Sequence, residues 1–329
     1  NIDEAGSIDY IVYGYMNRGI HEGTVGIAVY HYDSLANTNE EQVFIPSSQS
    51  YEVMKSELGQ LMYVTESGAF YIMVDGNVYS IDLNSLDTKV LVEGLSDEAV
   101  AISESNRFLA WVDSSAVRGS DTIHMIDFVT EKVTDVTGSA SDYVKPLGFM
   151  QEDFVYGVAK SADVVVDAAG NTLFPMYQVK IMDTSSEEHE ILKTYEKPGY
   201  YVQNITISGY TIYLNRIQNN GTAYVDADQD MIMNREGDSL KVVDIATKNT
   251  DEKETQVLIT LQDEAKKKAP KILTPKETIL EQKREVSLKE EKDNNRYYVY
   301  VKGEVVLTTD SSMYGNVPER RLRRHLMIL

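Results

Sequence analysis

The chain has 329 residues, no cysteine and a formal net charge of −21 at pH 7. Its length is enough to bury a core without cross-links, and the lack of cysteine excludes disulfides, thiolate nucleophiles and cysteine-ligated zinc. The negative charge repels nucleic acid and anionic lipid, and it leaves cations, basic peptides and neutral glycans as ligands to consider. No apolar run is long enough to span a membrane. Because the first residue is Asn1 and not Met, we expect any leader or anchor to belong to a segment outside this chain.

Short alternating apolar segments predict an all-β fold over the first 261 residues. Tyrosine, which favours strands, occurs 22 times. The clearest hairpin covers 70–82, where Asp75-Gly76 separates two alternating arms. Such a dipeptide is the strongest short-range signal for a hairpin. A turn at 84–87 and a third strand at 89–92 complete this unit.

A strand that ends in aspartate recurs at intervals of about 45 to 60 residues, and a repeat of about 40 to 50 residues built from strands is typical of propeller blades. The five copies are Ile27–Asp33, Val78–Asp82, Ile123–Asp127, Val179–Asp183 and Leu240–Asp244. We expect each aspartate to accept hydrogen bonds from the turn that follows it, as in an Asx turn, rather than to take part in chemistry.

Further strands flank each copy of the aspartate strand. An apolar strand precedes it, at 10–15, 69–74, 108–112, 154–158 and 210–214. Another follows it, at 41–45, 90–92, 133–136, 190–192 and 256–261. Inner strands are expected at 61–64, 100–102, 147–149 and 204–207, and the first repeat has no such segment before Tyr10. The sequence therefore predicts a β-propeller of four-stranded antiparallel blades, with five recognisable repeats over 1–261.

The alternation ends after residue 261. Residues 262–295 are dense in Lys and Glu, place Glu285 and Lys289 at the i,i+4 spacing, and predict a charged linker or a surface helix. Residues 296–310 predict a hairpin that closes the fold, unless residues outside this chain do so. The basic tail 311–329 contains Arg320-Arg-Leu-Arg-Arg324 and is expected to be disordered, a phosphate-binding patch or not native.

The repeat resembles the blades of TolB and dipeptidyl-peptidase-type propellers, in which a strand ending in Asp follows a hairpin. More narrowly, four strings resemble a group of membrane-anchored surface proteins of gut-dwelling Clostridia; they lie at 12–19, 21–30, 146–149 and 174–177. The resemblance spans residues 10 to 245. It implies an extracytoplasmic location at the cell surface, in a longer lipoprotein-like parent with an N-terminal anchor, and it implies no activity. The Arg-rich tail differs from what the resemblance leads us to expect after the last hairpin.

The sequence lacks the motifs of several enzyme classes. It has no Gly-x-Ser-x-Gly elbow and no P-loop or dinucleotide fingerprint, and its five His have no ligand spacing. We therefore expect a non-enzymatic binding or scaffold module without catalytic residues. We expect a monomer that contacts a protein, peptide or glycan at the cell surface, with no nucleic-acid partner. The alternative is a carbohydrate-active or other hydrolytic enzyme that uses acidic residues in the propeller funnel.

One acidic segment has part of the pattern of a calcium loop. Asp226, Asp228, Asp230 and Asn234 occupy positions 1, 3, 5 and 9, where alternate side chains can face one Ca²⁺ ion. The Gly expected at position 6 is Met231, and the bidentate Glu expected at position 12 is replaced by Gly237. Calcium is thus the one cofactor hypothesis, and the alternative is a polar loop between strands 211–214 and 240–244.

A second patch combines aromatic, amide and cationic side chains near the N-terminus. It consists of Tyr13, Tyr15, Asn17, Arg18 and His21. These groups suit contact with a glycan or a peptide, and they suit an ordinary loop equally well. The patch is the ligand-binding hypothesis of the sequence.

Overall fold

The computed structural model describes residues 2, 5–96, 99–113, 119–166, 172–233, 243–250, 253–261, 274–280, 284–288, 296–301 and 304–310. Within these ranges the chain folds into strands and one seven-residue helix, so the expected all-β class is confirmed. No helix in the same ranges has the length and hydropathy needed to cross a bilayer.

The first sheet has the strand order β1-β2-β3-β24. Its strands are β1 (Ile8–Tyr15), β2 (Val25–Asp33), β3 (Thr38–Ser47) and β24 (Glu277–Ile279). The first three are antiparallel, whereas β24 runs parallel to β3. Helix α1 (Tyr51–Glu57) follows β3 and begins where the Ser50 hydroxyl accepts a hydrogen bond from the Val53 N–H.

The next two sheets are four-stranded antiparallel meanders in chain order. The second contains β4 (Leu58–Val64), β5 (Ala69–Val74), β6 (Asn77–Asp82) and β7 (Thr88–Val92). The third contains β8 (Val100–Ile102), β9 (Phe108–Trp111), β10 (Thr122–Asp127) and β11 (Lys132–Thr137). The predicted hairpin joins β5 to β6, and both turn residues, Asp75 and Gly76, have positive φ, as a type I′ turn requires.

The fourth and fifth groups of strands form one eight-stranded sheet. The fourth group is β12 (Asp142–Met150), β13 (Asp153–Lys160), β16 (Met176–Met182) and β17 (Ile191–Glu196). The fifth is β18 (Tyr201–Ser208), β19 (Thr211–Asn219), β20 (Tyr224–Asp226) and β21 (Asp230–Met233). The two groups pair only at Met176 and Val202, so they behave as two sheets joined at one point.

Six strands form three separate two-stranded sheets. They are β14 (Val165–Val166) with β15 (Thr172–Leu173), β22 (Val243–Thr250) with β23 (Lys253–Leu261), and β25 (Arg296–Val301) with β26 (Glu304–Asp310). The last pair is a hairpin at the position that the sequence predicts.

Four apolar cores lie between the successive sheets. Residues of β5 show the arrangement: Phe70 and Ile72 pack against the first sheet, whereas Tyr71 and Met73 pack against the third. The other two cores join the third sheet to the fourth group and the fourth group to the fifth. Because side chains alternate across a strand, an inner sheet with two apolar faces is covered on both sides by its neighbours.

The aspartates at the ends of the repeated strands form the predicted Asx turns. Asp33, Asp82, Asp127 and Asp183 each accept a hydrogen bond from the main-chain N–H two residues ahead. These bonds favour the charged carboxylate and help to lower the pKa of all four groups. The side chain of Asp244 lies outside the described residues.

Two segments differ from the sequence predictions. Val243 and Asp244, the described residues of the strand expected at 240–244, lie in β22 and pair with the strand expected at 256–261. Thr211–Leu214 pairs with β21, which lies where a polar loop was expected. The polar segment after Asp226 is therefore partly strand. Within the charged stretch 262–295, residues 277–279 form strand β24 rather than linker or helix. The tail 311–329 and most of that charged stretch lie outside the described residues.

Arg284 fixes the charged stretch to the first two sheets. Its Nε donates to the Gln42 carbonyl at 2.6 Å, and its Nη2 donates to the Leu83 carbonyl. Main-chain hydrogen bonds on either side join Phe44 to Arg284 and Val286. One guanidinium thus connects β3, the turn after β6 and the returning chain.

We expect Arg284→Ala to lower the free energy of unfolding by about 2 to 4 kcal/mol, because it removes two charge-assisted hydrogen bonds and leaves two carbonyls short of a donor. Equilibrium unfolding in urea would measure the change. Lys276→Ala, which truncates an exposed side chain of the same segment, is the control and should change stability by less than about 0.5 kcal/mol. Equal losses in the two variants would contradict this role of Arg284.

Candidate functional site

Strand β1 carries a group of exposed aromatic and aliphatic side chains at the edge of the first sheet. Tyr13 and Tyr15 lie on one face and are 39% and 61% exposed, and Tyr10 and Val12 lie on the other face and are 36% and 43% exposed. We call these four residues the β1 patch. The structure thus brings Tyr13 and Tyr15, two of the sequence candidates, together on one strand face. The sequence candidates did not include Tyr10 and Val12, although the alternation of the strand could have indicated both.

The turn after β1 separates the remaining candidates. Asn17 and Arg18 are exposed, whereas His21 turns inward and its side chain is only 12% exposed. His21 Nε2 lies 2.7 Å from Glu41 Oε1, and its ring stacks on Phe44 with 3.6 Å between centroids. His21 therefore anchors the turn against the sheet rather than extending the exposed patch.

Glu41 is a buried carboxylate with a complete set of partners. Its side chain is 1% exposed; one oxygen contacts His21, and the other accepts a hydrogen bond of 3.0 Å from the Tyr30 hydroxyl. Burial, followed by the nearby charge of Glu41, raises the pKa of Tyr30 far above its ordinary value. A buried carboxylate is tolerated only when it is paired or hydrogen-bonded, so this cluster stabilises the turn between β1 and β2.

An aromatic pair continues the cluster towards the β1 patch. Tyr10 stacks on Tyr30 at 5.4 Å, and its hydroxyl accepts a hydrogen bond of 2.6 Å from Asn39 Nδ2. Asn39 Oδ1 is buried and has no hydrogen-bond partner among the described residues. These contacts hold Tyr10 in place and so give one face of the β1 patch a fixed geometry.

The calcium-loop candidates contact protein groups. Asp230 lies in β21, and one of its oxygens accepts hydrogen bonds of 3.0 Å from Tyr195 and from Arg216. Arg216 Nε also donates to the main-chain carbonyl of Asp228, and Asp226 ends β20. Asn234 lies outside the described residues. In the described part of the chain no three acidic or His side chains converge as a metal site would require, and calcium binding stays a prediction.

Because Tyr195 and Arg216 already engage Asp230, we expect millimolar calcium to raise the melting temperature no more than magnesium does at equal ionic strength. Asp228→Ala should then be nearly neutral, since its carbonyl contact to Arg216 is kept. Asp230→Asn should cost about 1 to 3 kcal/mol, because the buried guanidinium loses a charged partner. A calcium-specific rise that Asp228→Ala abolishes would establish the metal site instead.

A second group of polar residues lies between the third sheet and the turn after β16. Arg107 makes a two-point contact with Asp127 at 2.9 and 2.7 Å, and His189 lies 3.3 Å from the Thr134 hydroxyl. These residues line a shallow cleft together with Lys132. The cleft could not be predicted from the sequence, because its walls come from different repeats and no local spacing connects them.

Two aspartates at facing ends of β13 and β16 have opposite pKa shifts. Asp153 precedes Phe154 and Asp183 follows Met182, and those two neighbours are paired across β13 and β16. Burial, followed by the charge of Asp183, raises the pKa of Asp153, whereas hydrogen bonds from Ser185 lower the pKa of Asp183. Two neighbouring carboxyl groups with different pKa values are a feature of acid–base sites. Here Asp183 also forms its Asx turn.

The raised pKa of Asp153 has a consequence for stability. The folded protein binds the proton more tightly than the unfolded chain, so stability falls as pH rises from the unfolded value through the folded one. Asp153→Asn removes that loss and should raise the free energy of unfolding at pH 7 by up to about 1 kcal/mol. Urea unfolding at pH 3 and pH 7 would test this, with exposed Glu66→Gln as control; a gain confined to pH 3 would contradict the assignment.

Comparisons with known proteins give distant structural likenesses. No family model matches the chain, and no curated protein matches it. The β-propeller domain of the Trilobed protease from Pyrococcus furiosus is 12% identical, with 80% of this chain and 79% of that chain covered and a TM-score of 0.30. The tricorn protease is 15% identical over 65% of this chain and 23% of that one, with a TM-score of 0.30.

Dipeptidyl peptidase 4 of Porphyromonas gingivalis is 12% identical over 78% of this chain and 49% of its own length, with a TM-score of 0.25. The chain thus spans less than half of the tricorn protease and of this peptidase. At such identities and TM-scores, the likenesses carry no argument about what this chain binds or catalyses.

Proposed function

We propose that this chain is a non-enzymatic binding or scaffold module with a β-propeller fold. Its sheets follow one another in chain order with an apolar core between each pair, which is how blades bury their faces. The extracytoplasmic location and the anchor outside this chain are part of the proposal and rest on the sequence resemblance alone.

The observation that carries the binding function is the β1 patch. Its four large side chains are adjacent on one edge strand and each is more than a third exposed. Isolated exposed apolar residues are common on soluble proteins, but contiguous groups of them mark interaction sites. Ile20, which is also exposed (56%), lies in the turn that follows β1.

The Asp153 and Asp183 pair favours hydrolysis as a second candidate function. The protonated form of Asp153 could act as a general acid while Asp183 stays ionised. Neither aspartate is among the residues that line the cleft of Arg107 and His189, although the Asp183 carbonyl lies 3.2 Å from His189 Nδ1. Loss of glycosidase or peptidase activity in Asp153→Asn, measured on model substrates, would support this alternative.

Site-specific photo-crosslinking tests the binding function. A benzophenone amino acid replaces Tyr15, or Tyr213 of β19 as the control, which is 37% exposed on a different sheet. We expect cell envelopes of the source organism to give a saturable adduct with the Tyr15 variant that excess unmodified chain suppresses. Val12→Lys should abolish that adduct, since it places a charge in the apolar patch.

Adducts of equal yield from the Tyr15 and Tyr213 positions, or adducts that Val12→Lys leaves unchanged, would show that the β1 patch is not the binding surface. The chain should be checked for an unchanged circular dichroism spectrum after each substitution, so that loss of the adduct reports the surface and not the fold.

A further inference from the structure

The outer edge of β1 exposes main-chain hydrogen-bonding groups. The Met16 N–H donates to the Thr24 carbonyl, which extends the β1–β2 register by one pair. Because the direction of the main-chain groups alternates along an antiparallel strand, Gly14 and Val12 also face β2. Ile11, Tyr13 and Tyr15 therefore direct their N–H and C=O groups away from the sheet.

In other repeats, an additional strand pairs with the edge that corresponds to the outer edge of β1. In the second sheet β4 pairs with β5, in the third β8 pairs with β9, and in the fourth group β12 pairs with β13. Strand β1 corresponds to β5, β9 and β13, since each pairs with the strand that leads to the Asx-turn aspartate of its repeat. Among the described residues only Ile2 bridges this edge, at Ile8, and no strand pairs with it from Ile11 to Tyr15.

Features that usually protect an exposed strand edge are absent from β1. Such protection comes from short strands, Pro, Lys or bulges. Strand β1 has eight residues without Pro or Lys, and its pairing with β2 is free of register shifts. Its one charged residue, Asp9, lies 2.7 Å from His31 Nδ1. The edge is thus long, apolar and free of register shifts.

The β1 patch occupies both faces of the strand, with Tyr10 and Val12 on one and Tyr13 and Tyr15 on the other. A neighbouring β-strand contacts the side chains of both faces at once, whereas a glycan that stacks on an aromatic ring needs one face. The distribution therefore favours an extended polypeptide as the occupant.

The net charge of the molecule indicates what kind of polypeptide would bind at this edge. A second copy of the chain would bring another net charge of −21 to the interface, which opposes association, whereas a cationic segment is attracted. We propose that a basic, extended segment of a partner protein adds as a strand to the outer edge of β1 between Ile11 and Tyr15. This inference rests on the proposed binding function and names the partner of the same surface.

Peptide binding measured by fluorescence anisotropy tests the inference. The probe is a fluorescein-labelled nine-residue peptide that alternates Lys, Val, Thr and Val, and its Glu-for-Lys counterpart is the charge control. We expect the basic peptide to bind more tightly than the acidic one. Tyr13→Pro removes an outward N–H and should weaken binding by about tenfold or more, while Tyr13→Ala keeps the N–H and should weaken it less.

A second measurement does not depend on how the variant folds. The basic peptide with N-methyl groups along one edge cannot complete a β-ladder, and we expect the unmodified protein to bind it at least tenfold more weakly. If neither N-methylation nor Tyr13→Pro weakens binding beyond Tyr13→Ala, the contact is through side chains and strand addition is wrong.

No binding of the basic peptide at millimolar concentration also overturns the inference, as does a dimer that sedimentation detects and Tyr13→Pro dissociates. The crosslinking result at Tyr15 decides the binding function separately. An adduct at Tyr15 without peptide binding would leave the function in place and remove this partner class.

Discussion

The structure depends on the need to bury two apolar faces of each sheet. Phe70 and Ile72 point one way from β5 while Tyr71 and Met73 point the other way, and all four are buried. A single meander cannot cover both faces itself. Each inner sheet is therefore stable only between two neighbours, and this requirement orders the sheets along the chain. A sheet at either end of the series has a neighbour on one side only, so its second apolar face is harder to cover. The segment that contains Arg284 packs against the first of these sheets and stabilises it.

Features that depend on local sequence could be predicted, and features that depend on distant pairing could not. The Asx turns at Asp33 and Asp82 and the hairpin at Asp75-Gly76 need only neighbouring residues, so their residue types were sufficient. Strand β24 pairs with β3 across more than 200 residues, and its charged sequence has no alternation that could indicate a strand. Strand β21 at 230–233 lies where a polar loop was predicted, because its apolar run is short and follows an acidic stretch, and only the pairing with β19 identifies it as a strand.

The candidate site shows the same division. The sequence grouped His21 with Tyr13 and Tyr15 because they are close along the chain, but strand alternation and the turn place them in different environments. His21 is withdrawn to pair with the buried Glu41, and that pairing depends on β3, which no motif in the turn indicates. The tyrosines are exposed because, among the described residues, no strand of the first sheet covers their edge. Exposure of an aromatic strand edge is thus a result of position in the fold and not of composition.

The net charge then determines whether a second copy of the chain or a cationic partner is favoured at that edge. An apolar edge on a neutral protein would be a hazard, since a second copy could pair with it as readily as any partner. Here the net charge of −21 opposes association between copies at every distance within the Debye length. The same field increases the local concentration of cationic segments. Side chains such as Tyr13 and Val12 can therefore stay exposed for a partner, while repulsion between acidic chains supplies the protection against self-pairing that lysines or prolines give to other edge strands.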